Sequence, residues 1–251
     1  MALFVCTVVA CIERAVCGRV KASAWLFPSV VIMLKYEKAF WASHPRVVLA
    51  GVDEAGRGCW AGPVVAAAVT MTADSAARLY GGMLAGLTDS KQLSPARRLG
   101  FFNQIQQDSE ISWATGWCTA QEVDRWNILV ATHLAMRRAV EGLAIQAGHV
   151  LVDGLPVKGL PCASTAIVRG DAQSFLIAAA SVVAKVTRDQ FMAQLDKRYP
   201  QYGFAAHKGY GVAAHRRALE TCGACPEHRR SFRPVYMVEQ KLPGLVFAAE
   251  S

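Results

Sequence analysis

Asp53 and Glu54 stand side by side in a stretch otherwise suited to burial, with Val-Val-Leu-Ala-Gly-Val (Val47–Val52) before them and Val64–Val69 after. An acid pair in such a setting is costly unless it is paired or metal-bound, so two carboxylates at a strand end ask for a cation. Neighbouring side chains on a strand point to opposite faces. Both acids can therefore serve one site only if the strand ends or twists there, which Ala55-Gly56 permits. Gly56-Arg57-Gly58 follow directly, and their exposed N–H groups and single guanidinium suit close approach to a phosphate or sugar. Two more acids stand in comparable places, Asp153 at the end of a short apolar strand and Asp171 ahead of a long helix. Each has a plain alternative: a turn at Asp153-Gly154, a helix N-cap at Asp171.

The elements that must carry these acids are legible from periodicity. Val47–Val52 and Val64–Met71 read as the first two strands, and Glu110–Cys118, with Ile111, Trp113 and Trp117 among smaller residues, as a third. Ser94-Pro95 supplies an N-cap and a first-turn proline for a helix running to about Gln107. Its approach loop, Thr88–Leu93, sets Ser90 and Lys91 where a phosphate could be met, or where a turn is simply solvated. Residues 127–147 read as a helix with Ile128, Ala131, Ala135, Ala139 and Leu143 on one apolar stripe. His149–Asp153 and Ser164–Val168 are further strands, and an alanine-rich helix spans about Gln173 to Leu195. The order is mixed α/β. Asp189, about 27 Å along that last helix from Asp171, reads as a structural acid paired with a neighbouring arginine.

With 251 residues, 53% of them apolar, the chain can bury the core of one large catalytic domain. Lysine and arginine outnumber the acids by 27 to 19, which points to an anionic partner such as nucleic acid. The eight cysteines fall at irregular positions and no cleavable signal peptide is apparent, so free thiols in the cytoplasm are expected. Cys222, Cys225, His228 and His215 have partial zinc spacing, against which ordinary thiols near a helix end are preferred. Residues 1–34 are apolar but interrupted by Glu13, Arg14, Arg19 and Lys21, without the roughly 18-residue run of a membrane span. Met33 reads as a natural start followed by a short helix. Either the recorded start lies upstream of the functional one or 1–34 is a poorly ordered extension, leaving 35–251 as the catalytic domain with a short tail. In that tail Leu242–Phe247 could meet a replication clamp or fold onto the core.

Asp53-Glu-Ala-Gly-Arg-Gly58 with Ala61-Gly-Pro-Val-Val65 resembles the opening signature of ribonuclease HII, which nicks DNA duplexes at embedded ribonucleotides. Six later blocks agree in order: Thr88–Leu93, Asp124–Ile128, Leu151–Gly154, Gly170–Ala172, Ala178–Asp189 and His207–Gly211. The resemblance covers about residues 46–236 and implies the ribonuclease H-like fold, a mixed five-stranded sheet flanked by helices, its first three strands antiparallel and two more added in parallel. It implies Asp53, Glu54, Asp153 and Asp171 as catalytic ligands of two Mg²⁺ or Mn²⁺ ions. It further implies that the Gly56-Arg57-Gly58 backbone recognises the 2′-OH and that Tyr210 packs on the adjoining deoxyribose. Lys91, Lys185 and Lys208 are candidate phosphate contacts, and His207 is either a proton-transfer or phosphate group or a structural histidine. The substrates implied are RNA–DNA hybrids and duplex DNA containing ribonucleotides, handled by a monomer with no membrane association. A structure-specific DNA nuclease on the same fold, or a basic nucleic-acid-binding protein without catalysis, would be the alternatives. Cys59-Trp60 departs from the expected pattern, with a bulky aromatic where a smaller residue would stand, so an altered groove wall is a consequence to look for.

Overall fold

A computed structural model describes residues 33–241. The readings of the amino-terminal extension, apart from Met33 and Leu34, and of the Leu242–Phe247 tail lie outside the described residues. In chain order the elements are α1 (Lys35–Ser43), β1 (Leu49–Ala55), β2 (Val64–Met71), α2 (Ala73–Tyr80), α3 (Pro95–Gln107) and β3 (Ser112–Cys118). There follow α4 (Ala120–Glu141), β4 (His149–Asp153), β5 (Ala163–Ile167), α5 (Phe175–Arg198), the single turn α6 (Phe204–His207), α7 (Ala213–Cys222) and α8 (Arg233–Lys241).

The strands form one sheet in the order β3-β2-β1-β4-β5. β1 and β2 pair antiparallel, as do β2 and β3, whereas β4 joins β1, and β5 joins β4, in parallel. Both faces of β1 and β2 are covered, which explains why these central strands read as near-continuous apolar runs. Leu49, Ala67, Val69, Met71 and Leu151 face α5, while Ala50, Val52, Ala66, Ala68, Val150 and Val152 face the alanines of α4. The helices lie very close. A Cβ at Gly51 would collide with the Leu176 main chain of α5, and one at Gly116 with the Ala135 carbonyl of α4.

β1 runs through the acid pair to Ala55, three residues beyond the expected Val52. α4 begins seven residues before the expected Asn127, because Thr119 and Glu122 form a capping box. Asn127 is instead a kink (φ 63°), where its Oδ1 accepts from the N–H groups of Leu129 and Val130 and so caps the second half of the helix. The helix stops at Glu141 rather than 147, although Leu143 beyond it is still buried. α5 matches its expected span to within a turn. Its first N–H groups are met by the start of the described chain: Phe175 donates to the Met33 carbonyl at 2.7 Å and Leu176 to Glu37 Oε1 at 3.1 Å. Among the described residues no helix is long and apolar enough to cross a membrane.

Candidate active site

Strand parity decides which acids meet. Gly51 pairs with Leu151 and Val52 with Val152, so Asp53 and Asp153 follow as neighbours just where the parallel pairing of β1 with β4 stops. Both belong to the α5 side of the sheet, the side of Leu49 and Leu151. Asp171 arrives from the 3₁₀ turn Gly170–Ala172 between β5 and α5. It is not the N-cap of α5, a role filled by Ser174. Nor is Asp153 only a turn former: its Oδ1 accepts from the N–H groups of Gly170 (2.6 Å) and Asp171 (3.4 Å), which fastens the two acid-bearing segments together. Oxygens from Asp53, Asp153 and Asp171 lie within 4.8 Å of one another. Glu54, next on the strand, is not in that trio; its Oε1 meets Arg57 Nη1 at 3.3 Å.

Electrostatics mark this corner as built for a cation. Burial pushes the Asp53 carboxyl well above its usual range, and the charges of Glu54, Asp153 and Asp171 push it further. Asp171 is raised by burial and by Asp153. Burial also raises Glu54, against the opposing pull of Arg57. Partial burial pulls the Lys91 ammonium down, but Asp53, Asp171, Asp89 and Asp153 outweigh it and leave the group above its usual value. Lys91 Nζ stands 3.7 Å from Asp171 Oδ2. Hard oxygen donors, partly stripped of water and repelling one another, fit a divalent metal.

A cleft of about 230 Å³ opens here, lined by Asp53, Glu54, Gly56, Arg57, Gly58, Ser90, Lys91, Lys185 and Tyr210, with Ala55. Most of the expected substrate contacts thus converge. Lys208 does not line the cleft; its Nζ donates to the Ala205 carbonyl at 2.7 Å. Lys185 pairs with Asp189 at 2.7 Å, so the partner of Asp189 is a lysine one helical turn away rather than an arginine. His207 spends both ring nitrogens on main-chain groups of Tyr202 and Gly209. Trp60 does not line the cleft: it packs against Gly211, meets His215 at a tilt with ring centroids 5.5 Å apart, and lies beneath the Arg216 guanidinium. At the partial zinc motif, His228 Nδ1 faces Cys225 and its Nε2 faces His215, both at hydrogen-bond distance. These four residues form no metal-ligand group.

Two buried arginines escaped the reading of the sequence. Arg188 donates to the carbonyls of Pro63, Lys208 and Ala61, and Arg229 to those of Gly62 and Arg57. They hold the glycine-rich turn and the Tyr210 loop from behind. Gly56 (φ +96°) is needed because any Cβ there would strike Arg188. One signal was available for Arg188, since its i−4 and i+4 neighbours Ala184 and Met192 are fully buried and an arginine on that stripe must be spent internally.

A mixed sheet with carboxylates gathered at the carboxyl ends of its central strands, beside a basic glycine-rich turn, defines a metal-dependent nuclease of the ribonuclease H-like class. Comparison with known proteins narrows the class. Residues 50–237 match the family model of ribonuclease HII. The chain is 50% identical to ribonuclease HII of Paracidovorax citrulli over 82% of its own length and 83% of that protein's. It is 47% identical to ribonuclease HII of Geobacillus thermodenitrificans, covering 81% and 74%. Among solved structures, ribonuclease H2 from Pyrococcus horikoshii superposes with a TM-score of 0.65 at 25% identity, covering 77% of this chain and 98% of that one. The chain belongs to the ribonuclease HII family and is an endoribonuclease.

Proposed function

We propose that the protein hydrolyses the phosphodiester on the 5′ side of a ribonucleotide embedded in duplex DNA, and RNA in RNA–DNA hybrids, leaving 3′-OH and 5′-phosphate ends. The observation that carries this is that Asp53, whose carboxylate belongs to the trio with Asp153 and Asp171, lines one cleft with Glu54 and the Gly56-Arg57-Gly58 turn. Asp53, Asp153 and Asp171, with Glu54 at the rim, would hold two Mg²⁺ or Mn²⁺ ions. When bound, such ions supply an activated water and neutralise charge on the phosphate and the leaving oxygen. The chain's own residues do the rest. Phosphate is met by Lys91 and Lys185, with Lys208 as an outer contact. The N–H groups of Gly56, Arg57 and Gly58 would recognise the 2′-OH, the group that separates RNA from DNA. Arg229, by fixing the Arg57 carbonyl, fixes the direction of the following N–H. Tyr210, 43% exposed and lining the cleft, offers its ring to the next sugar. In this reading the protein is a monomer of the cytoplasm, with residues 1–34 an extension to the catalytic domain and Leu242–Phe247 the stretch through which a replication clamp would be met.

The test uses duplexes carrying no, one or several ribonucleotides, with Mg²⁺ or with EDTA. Incision at a single ribonucleotide, absent from all-DNA duplex and abolished by EDTA, is expected. Equal cutting of both duplexes would instead mark a DNA nuclease, and binding without cutting a non-catalytic protein.

A further inference from the structure

Tyr210 turns its ring to the cleft, while its main chain is held from behind by imidazoles. His215 Nδ1 lies 3.0 Å from the Tyr210 carbonyl oxygen, and His215 Nε2 lies 3.0 Å from His228 Nε2. The Cys225 N–H donates to His228 Nδ1 at 3.0 Å. Each end of this chain dictates where the protons sit. A carbonyl only accepts, so His215 carries its proton on Nδ1 and presents a bare Nε2. A backbone N–H only donates, so His228 Nδ1 is bare and its proton sits on Nε2. The two deductions are independent and agree: the direction runs from Cys225 N–H through His228 and His215 to the Tyr210 carbonyl, with no donor facing a donor.

A second ring braces the same loop. The Gly209 N–H donates to His207 Nδ1 at 3.2 Å, and the Tyr210 N–H to the His207 carbonyl at 2.9 Å. The His207 ring stacks on His215 with centroids 4.4 Å apart. His215 and His228 are fully buried among Trp60, Phe204 and Tyr202, where an uncharged pair belongs. Burial brings His215 down to about 4 and His228 to about 3, so both rings are neutral throughout the physiological range. A histidine present only to fill space would not require this ordered chain of donors, and leucine or phenylalanine would serve as well.

We infer that His215, its proton direction fixed by His228, is a positioning residue for Tyr210, and that it thereby sets the preference for an isolated ribonucleotide over a continuous hybrid. The inference rests on the reading that Tyr210 packs on the deoxyribose beside the cut. A single ribonucleotide always presents that deoxyribose and a long hybrid does not, so a loosened Tyr210 must show itself as a change in the ratio of the two activities.

The experiment measures kcat and KM on both substrates for the parent, Tyr210→Ala, His215→Leu and His215→Asn. Tyr210→Ala is the reference and should raise KM on the single-ribonucleotide duplex selectively. His215→Leu should shift the kcat/KM ratio in the same direction by about tenfold, the scale of one lost buried hydrogen bond. His215→Asn, whose amide N–H falls near the Nδ1 position, should restore most of the ratio. A ratio unchanged in His215→Leu while Tyr210→Ala moves it overturns the inference and leaves the Tyr210 reading standing. Equal losses on both substrates overturn it as well, since they denote a packing role. If Tyr210→Ala itself is unselective, the Tyr210 reading falls and the inference with it. Should His215→Leu fail to fold, ¹⁵N spectra of the unaltered protein's imidazoles decide: His215 protonated on Nδ1 alone and His228 on Nε2 alone at neutral pH are expected, and any other tautomer overturns the inference.

Discussion

Replacing Asp153 by Asn removes one charge from a crowded corner while leaving an amide oxygen to accept from Gly170 and Asp171. Unit charges about 5 Å apart at an effective dielectric near 20 repel by about 3 kcal/mol, an upper figure once water and counterions relax. Asp153→Asn should therefore lose about a thousandfold or more in activity, melt no lower than the parent without metal, and gain less from Mg²⁺. Thermal melts with and without metal, beside a cleavage assay, check all three; a fully active variant would show that Asp153 only shapes a turn. The acids were legible as residues because carboxylates among valines demand an explanation. What the string could not display was parity: Asp53 and Asp153 share the α5 face, whereas Glu54, one position on, pairs with Arg57. Arg229, and the contact of His215 with the Tyr210 carbonyl, were opaque for another reason. The partners there are main-chain carbonyls, which every residue possesses, so no pattern of side chains announces them.

Among elements, the junction of α1 with α5 carries the next expectations. Glu37 is fully buried, and its Oε1 accepts from Ser174 Oγ (2.6 Å) and the Leu176 N–H, closing the amino end of the helix that follows Asp171. Burial raises its carboxyl above the usual range, with those hydrogen bonds opposing. A raised acid favours the folded state most when protonated, so its contribution is complete below the unfolded carboxylate pKa and declines as pH rises through the folded one. Glu37→Gln should remove that decline and be at least as stable as the parent at neutral pH. Glu37→Ala should cost about 1–2 kcal/mol by leaving the cap unmet. Denaturant melts across pH 4–8 distinguish them, and an unchanged slope in Glu37→Gln would mean that the acid stays charged when buried. By the same geometry a chain starting at Met33 should fold and cut as the full one does, whereas one starting after Glu37 should be destabilised. Gly51→Ala, driven into the Leu176 backbone, should cost about 3 kcal/mol or more. The strands, α3 and α5 were legible because each combines a clear period with a start signal. α4 was misplaced because Asn127, left-handed in mid-helix, looks like an ordinary polar residue until the fold shows the kink. α2 and α8 went unread, and α7 was anticipated only as a helix end near Cys222, since Gly203, Gly209 and Gly211 before it advertise loop rather than helix.

Over the whole molecule, basic charge and an acidic pocket coexist, and a net +8 suits the long anionic partner while the local negative potential suits a cation. The sheet topology was readable from the order of strands together with the family resemblance, and the parallel addition of β4 and β5 has a consequence in time. Asp53 and Asp153 are 100 positions apart, and only the late pairing of β4 onto β1, after a long loop has closed, makes them neighbours. A folding chain that has formed just the β1-β2-β3 meander offers a cation one aspartate. Divalent metal should therefore leave the refolding rate nearly untouched and exert its effect by slowing unfolding, tenfold for each 1.4 kcal/mol of binding. Stopped-flow folding and unfolding limbs recorded with Mg²⁺ and with EDTA would reveal this, and a faster refolding limb in Mg²⁺ would mean that the acidic corner assembles early. The ion would then serve as a latch on a finished enzyme, lengthening the lifetime of the native state without guiding the route to it.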